Sequence, residues 1–515
     1  MLDVSKKKET VLNYLNKGFL VSENFFKEEN QDISINDLNE CLILDNKVHE
    51  IKSVKAYNWI EFDKAKVISE KKGDNKVLDK FNESIQNGIE EQKVSDRKVK
   101  VISSYEKHDF KKREVEDFVG YFNKRFDALE KILRNRQELV GSISISRVLG
   151  RKDKDAVSII GIVLNKQLTK NGHYFLTIED KTETIRVLVS KDKPELYNLA
   201  KDIVFDEVIG VVGVNGDKII FANNLIQPEV PLNKELKKCS DETYALFMSD
   251  VHVGSYNFLE EEFNKFLKWI NCEVGDEKQK SVASKVKYIF FAGDLVDGCG
   301  IYPGQEKDLS IPDIYKQYEK CAELLSMIPQ HIEIIIAPGN HDAMRIAEPQ
   351  PKLYEDFAGP ILNLPNVTVV SNPGIVNVHG DENFPGFDVM LYHGYSYDYY
   401  VANVDSLRNN GGYNRADLII KFLLQRRHLA PSHSSTLYLP ETEYDPLVIN
   451  IVPDIFVSGH IHKAVVSNYR NVTMISSSCW QAKTEFEEKM GHEPEPARIP
   501  MVNLQTREVK ILRFG

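Results

Sequence analysis

The C-terminal half of this 515-residue chain repeats one arrangement: a short apolar run stops at a cluster of Asp, Asn, His and Gly. Ala245 to Met248 runs into Ser249-Asp250-Val251-His252, and Tyr288 to Phe291 into Gly293-Asp294-Leu295-Val296-Asp297-Gly298. Ile332 to Ile336 runs into Pro338-Gly339-Asn340-His341-Asp342. Val389 to Tyr392 meets His393-Gly394, and Ile455 to Val457 meets Gly459-His460-Ile461-His462. Such runs read as strands of one α/β unit over residues 240–515. Loops just past strand ends hold polar side chains against a rigid scaffold, so the pattern predicts a metal site at one edge of a sheet.

The ligand types narrow the chemistry. Carboxylate, imidazole and amide oxygen without sulfur suit divalent ions: Mn²⁺ in the first place, with Mg²⁺, Fe²⁺ or Zn²⁺ as alternatives. Asp250 and His252 are two positions apart, so on extended chain they face the same way; His460 and His462 repeat that spacing. Glycine precedes Asp294, Asn340 and His460, which lets backbone pack where a side chain would crowd an ion. A pair of ions about 3.5–4 Å apart needs a shared ligand, and Asp294 is the candidate.

Upstream, the chain changes character three times. Residues 1–45 read as a small helical module and 46–115 as a charged linker with a basic stretch at Lys107, Lys111, Lys112 and Arg113. Residues 116–150 form a helical lead-in, with Phe118, Tyr121, Phe122, Phe126, Leu129 and Leu133 at helical spacing. Residues 151–228 carry five strand-like runs separated by turns such as Asn171-Gly172 and Asn215-Gly216-Asp217. This suggests a small β-barrel resembling an OB-fold, which serves either nucleic-acid binding or protein docking.

Composition sets the limits. Lys plus Arg is 66 and Asp plus Glu is 77, so the net charge of −11 excludes a chain held to nucleic acid by its bulk field. The N-terminus has no apolar signal core, and no run approaches the ~20 apolar residues of a membrane span, so no membrane partner is expected. The 6 cysteines are scattered without a C-x-x-C pair, as expected of reduced thiols in a cytoplasmic protein.

D-x-H, G-D-x-x-D-G, G-N-H-D, a lone H-G and G-H-x-H in this order resemble the calcineurin-like metallophosphoesterase superfamily over residues 243–500. The resemblance implies a two-sheet sandwich flanked by helices. It also implies that Asp250, His252, Asp294 and His462 bind one ion and Asp294, Asn340, His393 and His460 the other. His341 would stabilise or protonate the leaving oxygen of a phosphate ester, and Asp297 would orient His341. Further strings resemble the small-subunit family of archaeal DNA polymerase D over residues 115–515. These are Gly300-Ile301-Tyr302-Pro303-Gly304-Gln305-Glu306, Arg426 to Pro431, Val452 to Phe456 and Cys479 to Phe486.

That family implies a two-metal 3′→5′ exonuclease acting on single-stranded or mismatched DNA ends beside a large catalytic subunit, in a heterodimer. A standalone metallophosphoesterase and a non-catalytic polymerase scaffold are the rival readings. Smaller expectations attach to Arg426, Arg427 and His428 as phosphate or partner contacts, and to Tyr302 at the entrance for a terminal nucleotide. Tyr392, Tyr395, Tyr397, Tyr399 and Tyr400 are either core or a stacking surface for a frayed base.

Overall fold

The computed structural model describes residues 41–44, 47–50 and 99–515, except 107–111, 152–153, 442, 485–487 and 489–491. The chain divides into two units, 1–94 and 95–515. In the first, β1 (Cys41–Leu44) and β2 (Lys47–Glu50) form an antiparallel pair with Cys41 opposite Glu50. The rest of the expected helical module, and the linker up to residue 98, lie outside the described residues.

In the second unit the expected linker already contains structure. β3 (Val99–Ser104) pairs antiparallel with a strand of the C-terminal α/β unit. Its four central residues are exposed, so the ladder rather than side-chain burial holds it. That is why its sequence carries no alternating apolar signal.

Next comes a closed barrel of β4 (Ala156–Leu168), β5 (Tyr174–Glu179), β6 (Thr184–Val189), β7 (Val208–Gly216) and β8 (Ile219–Ile226), in the order β4-β5-β6-β8-β7. Ile159, Val163, Leu176, Ile178, Val187, Val211 and Ile220 fill it. This is the barrel anticipated from the strand-and-turn pattern.

The remainder is a two-sheet sandwich. One sheet holds β9 (Tyr244–Met248), β10 (Val286–Ala292), β11 (Glu333–Ala337) and β12 (Val367–Val369), all parallel. The other contains β13 (Gly374–Val378), β14 (Phe387–Leu391), β15 (Ile455–Ser458), β16 (Val465–Tyr469) and β17 (Val472–Ser476), with β3 at its edge. The hairpin of β18 (Arg498–Asn503) and β19 (Val509–Arg513) extends the first sheet beyond β9.

Side chains alternate across each strand, so both faces of β9 and β10 need apolar residues. Phe247, Phe290 and Ile335 meet Val376, Val389 and Val457 between the sheets. Leu246, Ile289 and Ile334 turn outward against Phe266 and Leu267 of helix Glu260–Ile270 and Cys321 and Leu325 of helix Ile314–Ser326. On the other sheet, Met390, Phe456 and Met474 pack against Ile420 and Leu424 of helix Ala416–Arg426.

Helix Val115–Leu133 joins barrel to sandwich. Phe126, Leu129 and Leu133 pack on Ile160, Val208 and Ile226 of the barrel, while Tyr121 enters the sandwich core. No helix among the described residues is long and apolar enough to cross a membrane.

Candidate metal centre

β9, β10 and β11 run parallel, as do β14 and β15, so their C-terminal ends deliver the polar clusters to one edge. Asp250, His252, Asp294, His460 and His462 all adopt left-handed backbone, with φ of 51°, 53°, 54°, 72° and 52°. Such φ values are rare outside glycine, and strained residues gather where function over-determines them. The preceding glycines matter through space: a Cβ on Gly339 would strike the Asp294 carboxylate, and one on Gly459 the Asp250 carboxylate.

Two donor clusters result. In one, His252 Nε2 and His462 Nε2 lie 3.3 Å apart, with Asp250 Oδ1 3.4 Å from His462 Nε2 and 4.0 Å from His252 Nε2. In the other, His393 Nε2 lies 2.9 Å from Asn340 Oδ1 and 3.2 Å from Asp294 Oδ2. His393 Nδ1 donates to the Ala292 carbonyl at 2.7 Å, which leaves the Nε2 lone pair for an ion. The clusters adjoin, because donor atoms of Asp250, Asp294 and His393 fall within 4.8 Å of one another.

The electrostatics favour cations. Burial pulls the His393 imidazole down, yet the Asp294 and Asp250 charges win and raise it to about 10. Burial works against the Asp294 charge, but His393, His341 and His252 hold its carboxyl far below the usual range. Converging nitrogen and oxygen donors without sulfur fit divalent ions.

Asp250, His252, His462, Asp294, Asn340 and His393 are thus brought together. His460 sits differently. Its backbone N–H donates to the Asp250 carboxylate, its ring lies 5.3 Å from that of His393, and its Nε2 lies 3.0 Å from Asp398 Oδ2. His341 N–H donates to Asp294 Oδ1 at 2.8 Å.

Asp297 differs from the expectation. Its carboxylate faces His252 Nδ1 at 3.1 Å; only its backbone carbonyl meets His341, 2.8 Å from Nδ1. Gln305 and Gln481 donate to the two carboxylate oxygens at 3.1 Å each and hold it on His252. Sequence reading passed over both glutamines, although they stand in the quoted strings. It also missed Asp398, and Asp342, whose Oδ2 accepts from the Asp294 and Gly339 N–H groups.

Arg426, Arg427 and His428 point inward, with exposures of 3%, 4% and 0%. Arg426 Nε pairs with Glu207 Oε2 of the barrel at 2.5 Å, Arg427 Nε donates to the Ile449 carbonyl, and His428 Nε2 meets Asp445. A contact with phosphate or with a partner from these three is therefore not available. Tyr392, Tyr397 and Tyr400 are core, whereas Tyr395 and Tyr399 are half-buried. Tyr302 donates to Asp308 at 2.9 Å.

Comparison with known proteins agrees with this geometry. The calcineurin-like phosphoesterase family matches residues 244–464, and the OB-fold nucleic acid binding domain family matches residues 157–215. The chain is similar to the DNA polymerase II small subunit of Methanothermobacter thermautotrophicus, at 40% identity over 81% of this chain and 83% of that protein. It is similar to the subunit of the same name from Methanocaldococcus jannaschii, at 40% identity over 76% of this chain. That from Pyrococcus furiosus is 39% identical over 78% of this chain. The match spans 64% of each of these last two relatives, just under two thirds of their length.

Proposed function

The chain belongs to the family of DNA polymerase II small subunits, and on that premise we propose that it is a two-metal 3′→5′ exonuclease. It acts on single-stranded or mismatched DNA ends, in the cytoplasm, beside a large polymerase subunit. The observation that supports this reading is the convergence of Asp250, His252, His462, Asp294, Asn340 and His393 at one sheet edge, with Asp250, His252, Asp294 and His462 on strained backbone. A scaffold has no use for either.

Asp250, His252 and His462 would hold one ion and Asp294, Asn340, His393 and His460 the other, with Asp294 shared. When bound, such ions polarise a phosphodiester and make water a stronger nucleophile. The protein's own groups do the rest. Asp297 fixes the His252 ring through Nδ1, and Asp398 does the same for His460. His341 Nδ1–H donates a hydrogen bond to the Asp297 carbonyl, which orients the ring so that Nε2, when it carries a proton, would stabilise or protonate the leaving oxygen. The barrel supplies a platform for DNA or for the large subunit. Its buried Glu207–Arg426 link to the sandwich supports this reading over a standalone phosphoesterase, which needs no fixed barrel.

The test is Mn²⁺-dependent digestion of a 5′-labelled single strand, with and without the large subunit, alongside Asp294→Ala and His460→Ala. A ladder shortening from the 3′ end that both substitutions abolish is the expected result. Digestion that survives Asp294→Ala, or none under either condition, would overturn the assignment.

A further inference from the structure

An open cavity of about 710 Å³ adjoins the metal centre. That is within the ~300–1,000 Å³ of ordinary ligand sites. Two of its lining residues touch His460: Asp398 Oδ2 lies 3.0 Å from Nε2, and the Tyr395 ring lies 5.8 Å from the imidazole. The lining also includes Phe118, Tyr399, His433 and Tyr438.

The aromatic lining is pre-set. The His433 ring stands edge-on to Phe118 at 5.9 Å and to Tyr438 at 5.0 Å. His433 Nδ1 and the Tyr438 hydroxyl are 2.6 Å apart, and Tyr438 in turn stacks on buried Tyr121 at 5.0 Å. Phe118 comes from helix Val115–Leu133, outside the matched phosphoesterase residues 244–464. Phe118 thus brings to this wall a ring from outside those residues, while the other lining residues lie within them.

The chemistry of the lining selects its occupant. Among the described residues it contains no lysine or arginine, and its single carboxylate is engaged by His460. Such a wall does not attract the phosphate backbone. It offers aromatic faces with hydroxyls between them, which suits flat heteroaromatic rings. A base paired in a duplex has its faces covered by its neighbours and its edge by its partner, so an unpaired base enters on better terms.

We propose that this cavity binds the unpaired terminal base of a single-stranded DNA end by stacking, while the adjoining phosphodiester lies at the metal centre. Stacking is tolerant of sequence, because every base has a π-face. The cavity then selects for fraying rather than for base identity. This inference rests on the nuclease reading above.

The test uses the full chain with Mn²⁺, with and without the large subunit, and two substrates: a single-stranded oligonucleotide and bis(4-nitrophenyl) phosphate. Phe118→Leu and Tyr399→Leu keep bulk and remove the aromatic face. Each is expected to raise KM for the oligonucleotide at least about five-fold, the lower end for losing one base–aromatic stack. Neither should alter turnover of the small diester, nor KM for an oligonucleotide whose terminal nucleotide is abasic. A terminal 2-aminopurine should be quenched by the parent chain and less so by the variants, which reads binding apart from cleavage. DNA cleavage with unchanged KM and quenching in both variants would overturn the cavity assignment alone. Turnover of the small diester with no cleavage of any DNA would instead overturn the nuclease reading beneath it.

Discussion

His460 shows how a single residue's surroundings decide its part. Its φ of 72° is strained, its N–H is spent on Asp250, and its Nε2 is spent on Asp398. Only Nδ1 remains for an ion. A carboxylate behind a metal-ligating imidazole fixes the ring and raises its basicity, and removing it lowers metal affinity about 10–100-fold. Asp398→Asn is therefore expected to raise the Mn²⁺ concentration that half-saturates activity by about that factor. Circular dichroism should be unaltered; an unshifted Mn²⁺ dependence would contradict the role. The proposed donors could be picked out of the sequence because each follows an apolar run. Asp398 could not, since it sits in the tyrosine-rich stretch Tyr395 to Tyr400, which carries no mark of its partner 62 residues away. Asp297 was half legible: the family resemblance set it beside His341, but a motif does not say which of two neighbouring histidines its carboxylate meets.

Among elements, helix Val115–Leu133 carries a buried charge into the sandwich. Arg125, fully buried, pairs with Asp445 Oδ2 at 2.7 Å and donates to the Pro431 carbonyl at 2.6 Å. Tyr121 donates to Asp445 Oδ1, and His428 Nε2 lies 2.8 Å from Oδ2. Removing one partner leaves a buried charge unmatched, so Arg125→Ala should cost about 3–5 kcal/mol in urea unfolding. Burial, then the Arg125 charge, pushes the His428 imidazole down to about 4. An unfolded histidine titrates near 6.5, so the unfolded chain binds the proton first as pH falls. Stability present above pH 6.5 is then lost toward pH 4, by about 3 kcal/mol from this group. A parent chain whose stability stays flat from pH 6.5 to 4 would contradict this.

Periodicity placed this helix, but not its charged anchor: an arginine on an otherwise polar turn looks solvated until its acceptor is seen. The same blindness affected Arg426 and Arg427, whose partners are Glu207 and several backbone carbonyls beyond the helix. β3 escaped for the opposite reason, since an exposed edge strand needs no apolar alternation.

At the scale of the whole molecule, two sheets, a barrel and a joining helix fix one edge at which charge accumulates. Ions bound by the folded centre and not by the unfolded chain should stabilise the fold. By mass action, Mn²⁺ at 100 times its Kd adds about 2.7 kcal/mol per site, and chelation removes it. Tm is thus expected to rise with Mn²⁺ in the parent chain and to rise less in Asp294→Ala. The sandwich and the barrel were legible, from apolar runs that end in polar clusters and from the close-set strands of the barrel. The way the parts lock together was not, because it depends on buried ion pairs between residues distant in sequence. The most direct test of the account is to count ions. The metal-free full chain is equilibrated with Mn²⁺ and analysed for bound metal, together with His462→Ala and His393→Ala. Two ions in the parent chain, with one lost in each variant, is the predicted result. Fewer than two in the parent, or two retained in either variant, would contradict the paired clusters on which the mechanism stands.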